Sequence, residues 1–271
     1  MAEQTVSTSS FARRNAAYWT GRAEGYSDVN REELDGSQRR VWASWIDGRI
    51  RERLGPRARG SLRVLDAGTG PGFFAIILAE LGYRVWAVDY TDAMLDQARA
   101  NEARANGALE PGRIVFRRAD VARTGLASGG FDVIVSRNVT WDLPDPAAAY
   151  AEWERLLAPG GLLLNFDAAW YRYLYDGGAA ARRRRDRDNV RRTGVADDTA
   201  GTDVDEMEAI ARLTPLSRLG RPAWDLDELA RLGLDAVADE RAWETLWTEC
   251  ERVNNASTPL FMIEARKGGR P

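Results

Sequence analysis

Asp66, Gly68, Gly70 and Gly72 stand at alternate positions in the stretch VLDAGTGPGFF, and Asp89 follows about twenty residues later. Glycines so spaced let the chain turn sharply and let a ligand approach the backbone without meeting a Cβ atom. A carboxylate placed like Asp89 can accept hydrogen bonds from both hydroxyls of a ribose, or can simply charge the helix N-terminus beside Thr91. Nucleoside binding is the chemistry suggested, and the neighbouring residues limit its kind. A dinucleotide fingerprint needs glycine where Phe73 stands, and a phosphate-binding loop needs Gly-Lys-Ser/Thr, which this stretch lacks.

The rest of the inventory narrows the chemistry by subtraction. The 271 residues include no histidine and a single cysteine, Cys250. This excludes a Ser-His-Asp triad, a Cys-His pair, an imidazole base, an intrachain disulfide and a cysteine-built zinc site. No metal is expected, and acid or base work falls to carboxylates, tyrosines, lysines or the substrate itself. A net charge of −3 gives no general attraction for nucleic acid or an anionic membrane. No apolar run approaches the ~20 residues that span a bilayer. The first residues lack the basic start and apolar core of a secretory signal, so a cytoplasmic location without membrane contact is expected.

Positioning Asp66 and Asp89 is the task of the surrounding elements. From about residue 62, β-like runs such as LRVLDAG, YRVWAVDY and FDVIVSRN alternate with helical stretches such as FFAIILAELG and PAAAYAEWERLL. That alternation means βαβ crossovers and a doubly wound, mostly parallel sheet, with ligands bound at the carboxyl ends of its strands. Gly82 and Gly107 fall at helix C-caps, and PGG at 159–161 turns a helix into a strand. Before the sheet, Val41, Trp42, Trp45, Ile46, Ile50 and Leu54 form one helical stripe, with Asp35 and Ser37 as caps. After AAWYRYLY the alternation stops in a charged, glycine-containing stretch, and Val204, Met207, Ile210 and Leu213 then share one helix face. Asp225 with Glu228 makes a capping-box pattern, and TPLFMIEARK supplies a last strand. Four segments are expected: a helical segment over 1–60 that covers the ligand, a core over 61–169, a cap or lid insertion over 170–222, and completion of the sheet over 223–271.

An acid two residues before three alternating glycines, with a second acid ending the next strand, resembles the class I S-adenosylmethionine-dependent methyltransferases, whose first motif is D/E-x-G-x-G-x-G. The resemblance covers roughly residues 60 to 168, and PLFMIEARK fits the family's antiparallel seventh strand. It implies a Rossmann-like seven-stranded sheet with S-adenosylmethionine as cofactor and S-adenosylhomocysteine as product. Asp66 would orient the ammonium of the methionine moiety; Gly68, Gly70 and Gly72 would line its backbone contact; and Asp89, with Tyr90 beside it, would clasp the ribose. Asp120 matches the acid that accepts from the adenine amino group, with Val121 adjacent, and Met94 matches the apolar residue packed on the adenine. Arg137 and Asn138 would lie near the methionine moiety and the substrate.

Two further stretches resemble the small-molecule branch of that family. YWTGRAEGYS suggests Tyr18, Trp19 and Tyr26 as residues that close over the cofactor. LLLNFDAAWYRYLY places Asp167, Trp170 and Tyr171 toward a substrate pocket, with Trp141 and Trp224 where its wall could be lined. The implied reaction is methyl transfer to N or O of a small molecule, with Asp142, Asp167 or Tyr171 taking a proton where one must leave. DNA is disfavoured, because Arg-Asn-Val-Thr stands where an amino-methylating enzyme would carry Asn/Asp-Pro-Pro-Tyr/Phe. Two other readings stay open: an RNA methyltransferase recruiting its substrate through Arg182 to Arg185, and a non-catalytic cofactor-binding protein. RNA is the weaker, since Asp186 and Asp188 interrupt the basic run. A monomer or a homodimer is expected.

Overall fold

A computed structural model describes residues 8–105 and 113–269. The chain opens with two helices, Thr8–Asp35 (α1) and Gln38–Leu54 (α2). The alternating part follows as Arg63–Ala67 (β1), Phe73–Glu80 (α3), Arg84–Asp89 (β2), Asp92–Arg104 (α4), Ile114–Arg118 (β3), Phe131–Arg137 (β4), Pro146–Leu156 (α5) and Leu157–Asp167 (β5). The interruption holds Gly177–Thr193 (α6) and Val204–Ala211 (α7). Ala223–Arg231 (α8), Leu234–Asp239 (β6), Trp243–Leu246 (α9), Glu249–Asn254 (α10) and Phe261–Lys267 (β7) complete the chain.

The seven strands lie in the order β3-β2-β1-β4-β5-β7-β6. β7 pairs antiparallel with both β5 and β6, so it alone runs against the rest. The strand order reverses between β1 and β4, which opens a crevice beyond Ala67 and Arg137. Val64, Leu65, Val133, Ile134 and Val135 are fully buried, as strands covered on both faces must be. On one face Trp42 of α2 packs tilted against Phe74 and edge-to-face against Phe166, with ring centroids 5.1 and 5.0 Å away. On the other, Tyr150 and Trp153 of α5 pack with Leu229 of α8.

Several local expectations change. Gln38, Trp42, Ile46 and Ile50 form the buried row of α2, leaving Val41, Trp45 and Leu54 only partly covered. Ser37 precedes α2 without a capping hydrogen bond. Gly82 follows α3 at φ 94°, while Gly107 lies outside the described residues. Pro159 to Gly161 fall inside β5, where the register with β4 jumps from Phe131–Leu157 to Val133–Leu162. The extra residues form an irregularity in the strand, not a separate turn. Met207 and Ile210 are buried but Val204 is exposed, because α7 begins there at the rim of its contact. Asp225 caps nothing: α8 starts at Ala223, and the Asp225 carboxylate is buried against Arg221.

Candidate active site

The crevice beyond β1 and β4 opens into a cavity whose empty space, with the solvent at its mouth included, is about 1070 Å³. Its floor is the glycine loop. Gly68 has φ 74°, and a Cβ there would sit 2.4 Å from Val139 Cγ2, so neither the conformation nor the space admits a side chain. Gly70 lies on the cavity wall, whereas Gly72 packs against Ala98 of α4 and does not line it.

Asp66 holds this loop. Its Oδ2 accepts from Thr69 Oγ1 at 2.6 Å and from the amide of Ala75 at 3.0 Å, in the first turn of α3. Burial pushes its carboxyl up to about 7 in spite of these bonds. Asp89 ties the loop to β2: Oδ2 accepts from the Gly70 amide at 3.1 Å and Oδ1 from Thr91. Burial raises its pKa as well. Tyr90, Met94, Asp120 and Val121 follow along the same wall. Asp120 is exposed and turns Oδ1 to the Ala122 amide at 2.9 Å, so it also shapes its own turn.

α1 covers the cavity. Phe11, Asn15, Trp19, Tyr26 and Asn30 recur at spacings of four and seven, one helix face, and all five line it. Three contacts fasten this helix over the loops. Asn101 of α4 donates to Ser27 and to the Pro71 carbonyl, both at 3.0 Å. Arg137 makes a two-pronged ion pair with Glu33 at 2.7 and 2.9 Å, its guanidinium lying over the Phe73 ring. Asp142 accepts from Asn15 Nδ2 at 2.9 Å and from Trp19 Nε1 at 2.6 Å. Burial pushes the Asp142 carboxyl up to about 7, the two N–H donors pull it down, and the charge of Asp167 raises it further. Asn138 joins the same wall at φ 58°, the left-handed region that asparagine tolerates better than most residues.

Thus Trp19, Tyr26, Asp66, Gly68, Gly70, Asp89, Tyr90, Met94, Asp120, Val121, Arg137, Asn138 and Asp142 converge on one cavity. Besides Gly72, six residues expected near it stand elsewhere. Tyr18 and Trp141 pack behind α1 with Met207 and Ile210, and Tyr171 stacks on Trp141 at 4.9 Å. Trp170 lies against Trp247, and Trp224 against Tyr150 across the sheet. Asp167 is fully buried behind the cavity wall, where Arg221 Nη1 approaches Oδ2 at 2.8 Å and Trp170 donates to Oδ1 at 3.0 Å. Arg221 also grips Asp225 at 2.7 Å, and Tyr150 donates to Asp225. Asp167 therefore serves a closed ion network in which every prong is taken.

Among the described residues none beyond Pro144 lines the cavity, so residues 170–222 do not wall it. They brace α1 from behind: Glu206 binds Arg14 at 2.6 Å, and the Gly201 carbonyl accepts from Arg22 at 3.1 Å. Phe11 and Asn15 escaped the sequence reading, although their i, i+4 spacing with Trp19 was there to be seen. Among the described residues no cluster of acidic or cysteine side chains is arranged to hold a metal, and no helix is long and apolar enough to cross a membrane.

A family profile described as a methyltransferase domain matches residues 65–165. A trans-aconitate 2-methyltransferase from Streptomyces avermitilis is 31% identical over 220 residues, which span 78% of each chain. The chain belongs to the class I S-adenosylmethionine-dependent methyltransferase family. A ubiquinone biosynthesis O-methyltransferase from Methylocella silvestris is 30% identical over 118 residues, 44% of this chain and 44% of that protein. The match thus spans under half the length of that relative. In fold, the chain resembles a phosphoethanolamine N-methyltransferase from Haemonchus contortus in complex with S-adenosyl-L-methionine, with a TM-score of 0.54, 18% identity, and coverage of 88% and 60%. The cavity suits the family's cofactor: Gly68 and Gly70 on its wall carry no side chain and both have positive φ, and the buried Asn138 Oδ1 and Tyr90 hydroxyl have no partner among the described residues.

Proposed function

We propose that the protein transfers a methyl group from S-adenosylmethionine to N or O of a small molecule held between the glycine loop and α1. The observation that carries this reading is the convergence of Asp66, Asp89 and Asp120 with Asp142 on a single cavity. Asp66 and Asn138 receive the ammonium end, Asp89 the ribose hydroxyls, and Asp120 the adenine amine beside Met94 and Val121. The sulfonium supplies a methyl group already activated for in-line displacement, so positioning does most of the work. Trp19, Tyr26 and Phe11 exclude water from the other side. Asp142, near neutrality and held by Asn15 and Trp19, takes the proton the acceptor gives up; a base whose pKa lies near the working pH is the effective one.

The test is release of S-adenosylhomocysteine during turnover of an acceptor, compared between the wild type and Asp142→Asn. A binding protein without turnover would retain cofactor affinity and release none across an acceptor library. RNA remains the weaker reading, because Arg182 to Arg185 stand on α6, outside this cavity.

A further inference from the structure

Resting on the reading above, we infer that the methyl acceptor meets α1 with an N–H or O–H donor and carries no negative charge there, and that Asn15 and Asp142 together select it. Asn15 and Asp142 are only 5% and 7% exposed, and each keeps one side-chain oxygen, Oδ1, without a partner. Both residues line the cavity. The orientation of Asn15 is fixed, because its Nδ2 is spent on Asp142 Oδ2, so its free atom is the acceptor.

The cofactor's own donors do not account for these two atoms. Its ammonium, ribose hydroxyls and adenine amine are met by Asp66, Asn138, Asp89 and Asp120. The Tyr90 hydroxyl can donate or accept and imposes nothing. Asn15 Oδ1 and Asp142 Oδ1 remain, and a buried acceptor left unmet costs the whole desolvation of that atom. Above about pH 7, where Asp142 is ionised, a group that fits must donate to them.

Charge points the same way. Among the described residues Arg137 is the one basic side chain on the cavity wall, and Glu33 occupies both of its prongs. No described side chain there is free to neutralise a carboxylate or phosphate, and Asp142, ionised above about pH 7, repels one. The surrounding surface of Phe11, Ala12 and Trp19 accepts an apolar or aromatic body. In the step itself a bond forms between the acceptor's nitrogen or oxygen and the methyl carbon as the S–C bond breaks. Sulfur keeps that electron pair, and the acceptor's proton passes to Asp142.

Above about pH 7, with Asp142 ionised, the protein saturated with S-adenosylhomocysteine would be titrated with benzylamine, benzyl alcohol and benzoate, followed by ligand-observed NMR. Benzylamine and benzyl alcohol should bind at least about ten-fold more tightly than benzoate. Asn15→Leu should weaken both donors, and the isosteric Asp142→Asn should narrow the gap to benzoate by admitting the anion. Benzoate binding as tightly as the others, no binding by any of the three, or a preference unmoved in both variants overturns the inference. Failure of the wild type to bind S-adenosylhomocysteine by calorimetry would instead remove the cofactor reading on which it rests.

Discussion

Asn15 Nδ2 lies 2.9 Å from Asp142 Oδ2, joining a residue of the first helix to one 127 positions later. This bond and that from Trp19 favour the charged carboxylate, so each lowers a pKa that burial has raised to about 7. In the proposed role of proton acceptor Asp142 works when deprotonated, so turnover should rise with pH through about 7 and then level off. Asn15→Leu removes one favouring bond and should move that rise to higher pH. A profile unchanged by the substitution would take Asp142 out of the proton path.

Asp142→Asn should lower kcat by a factor on the order of 10²–10⁴, the range a positioned base contributes. Cofactor affinity should change far less, since Asp66, Asp89 and the glycine loop are untouched. Calorimetry beside steady-state kinetics separates the two, and equal losses in both would place Asp142 in the cofactor's grip instead.

Asp66 should give up a proton when the cofactor binds. Its carboxyl stands at about 7 in the free protein against 3.8 for an unperturbed side chain, and an arriving ammonium draws it down. Calorimetry between about pH 5 and 7 in buffers of different ionisation enthalpy should record fractional proton release, absent in Asp66→Asn. The same shift makes the free protein bind more protons than its unfolded chain across this window. The stability Asp66 contributes is therefore fully present below about pH 4 and lost as pH rises through about 7.

Gly68→Ala should cost about 1–3 kcal/mol of stability from the left-handed backbone alone. The clash with Val139 Cγ2 at 2.4 Å adds to it and should weaken cofactor binding by pushing on the loop. Val139→Ala in the same chain should restore part of the loss but not the backbone share. Chemical denaturation of the three variants checks this, and full rescue would mean that the left-handed conformation costs nothing.

Arg221→Met should destabilise the fold by about 3–5 kcal/mol, because two buried carboxylates, Asp167 and Asp225, lose their shared cation. Asp167→Asn should likewise lower Tm and leave kcat of the folded fraction close to wild type. A large fall in kcat at unchanged Tm would return Asp167 to the reacting centre.

The sheet was legible because strands buried on both faces and the glycines at a tight turn write their needs into adjacent residues. Asp66, Asp89 and Asp120 follow from that frame, each falling at or just beyond the carboxyl end of a strand. Asp167 sits at the end of β5 by the same rule, yet its task is set by Arg221, 54 positions later, and no local pattern announces that pairing. Asp225 misled in the same way: spacing made it a cap, but burial made it an ion partner. The face of α1 was the opposite case, periodic but unread, because its polar Asn15 and Asn30 interrupt the apolar rhythm by which helices are found.

The proposed acceptor wall on α1 also stands apart in the chain from the glycine loop. The glycine loop and its acids belong to the sheet and must be kept together, whereas Phe11, Ala12, Asn15 and Trp19 occupy a helix that precedes every strand. Exchanging residues along these turns of one helix would thus alter the proposed acceptor wall while leaving the strands and the glycine loop in place.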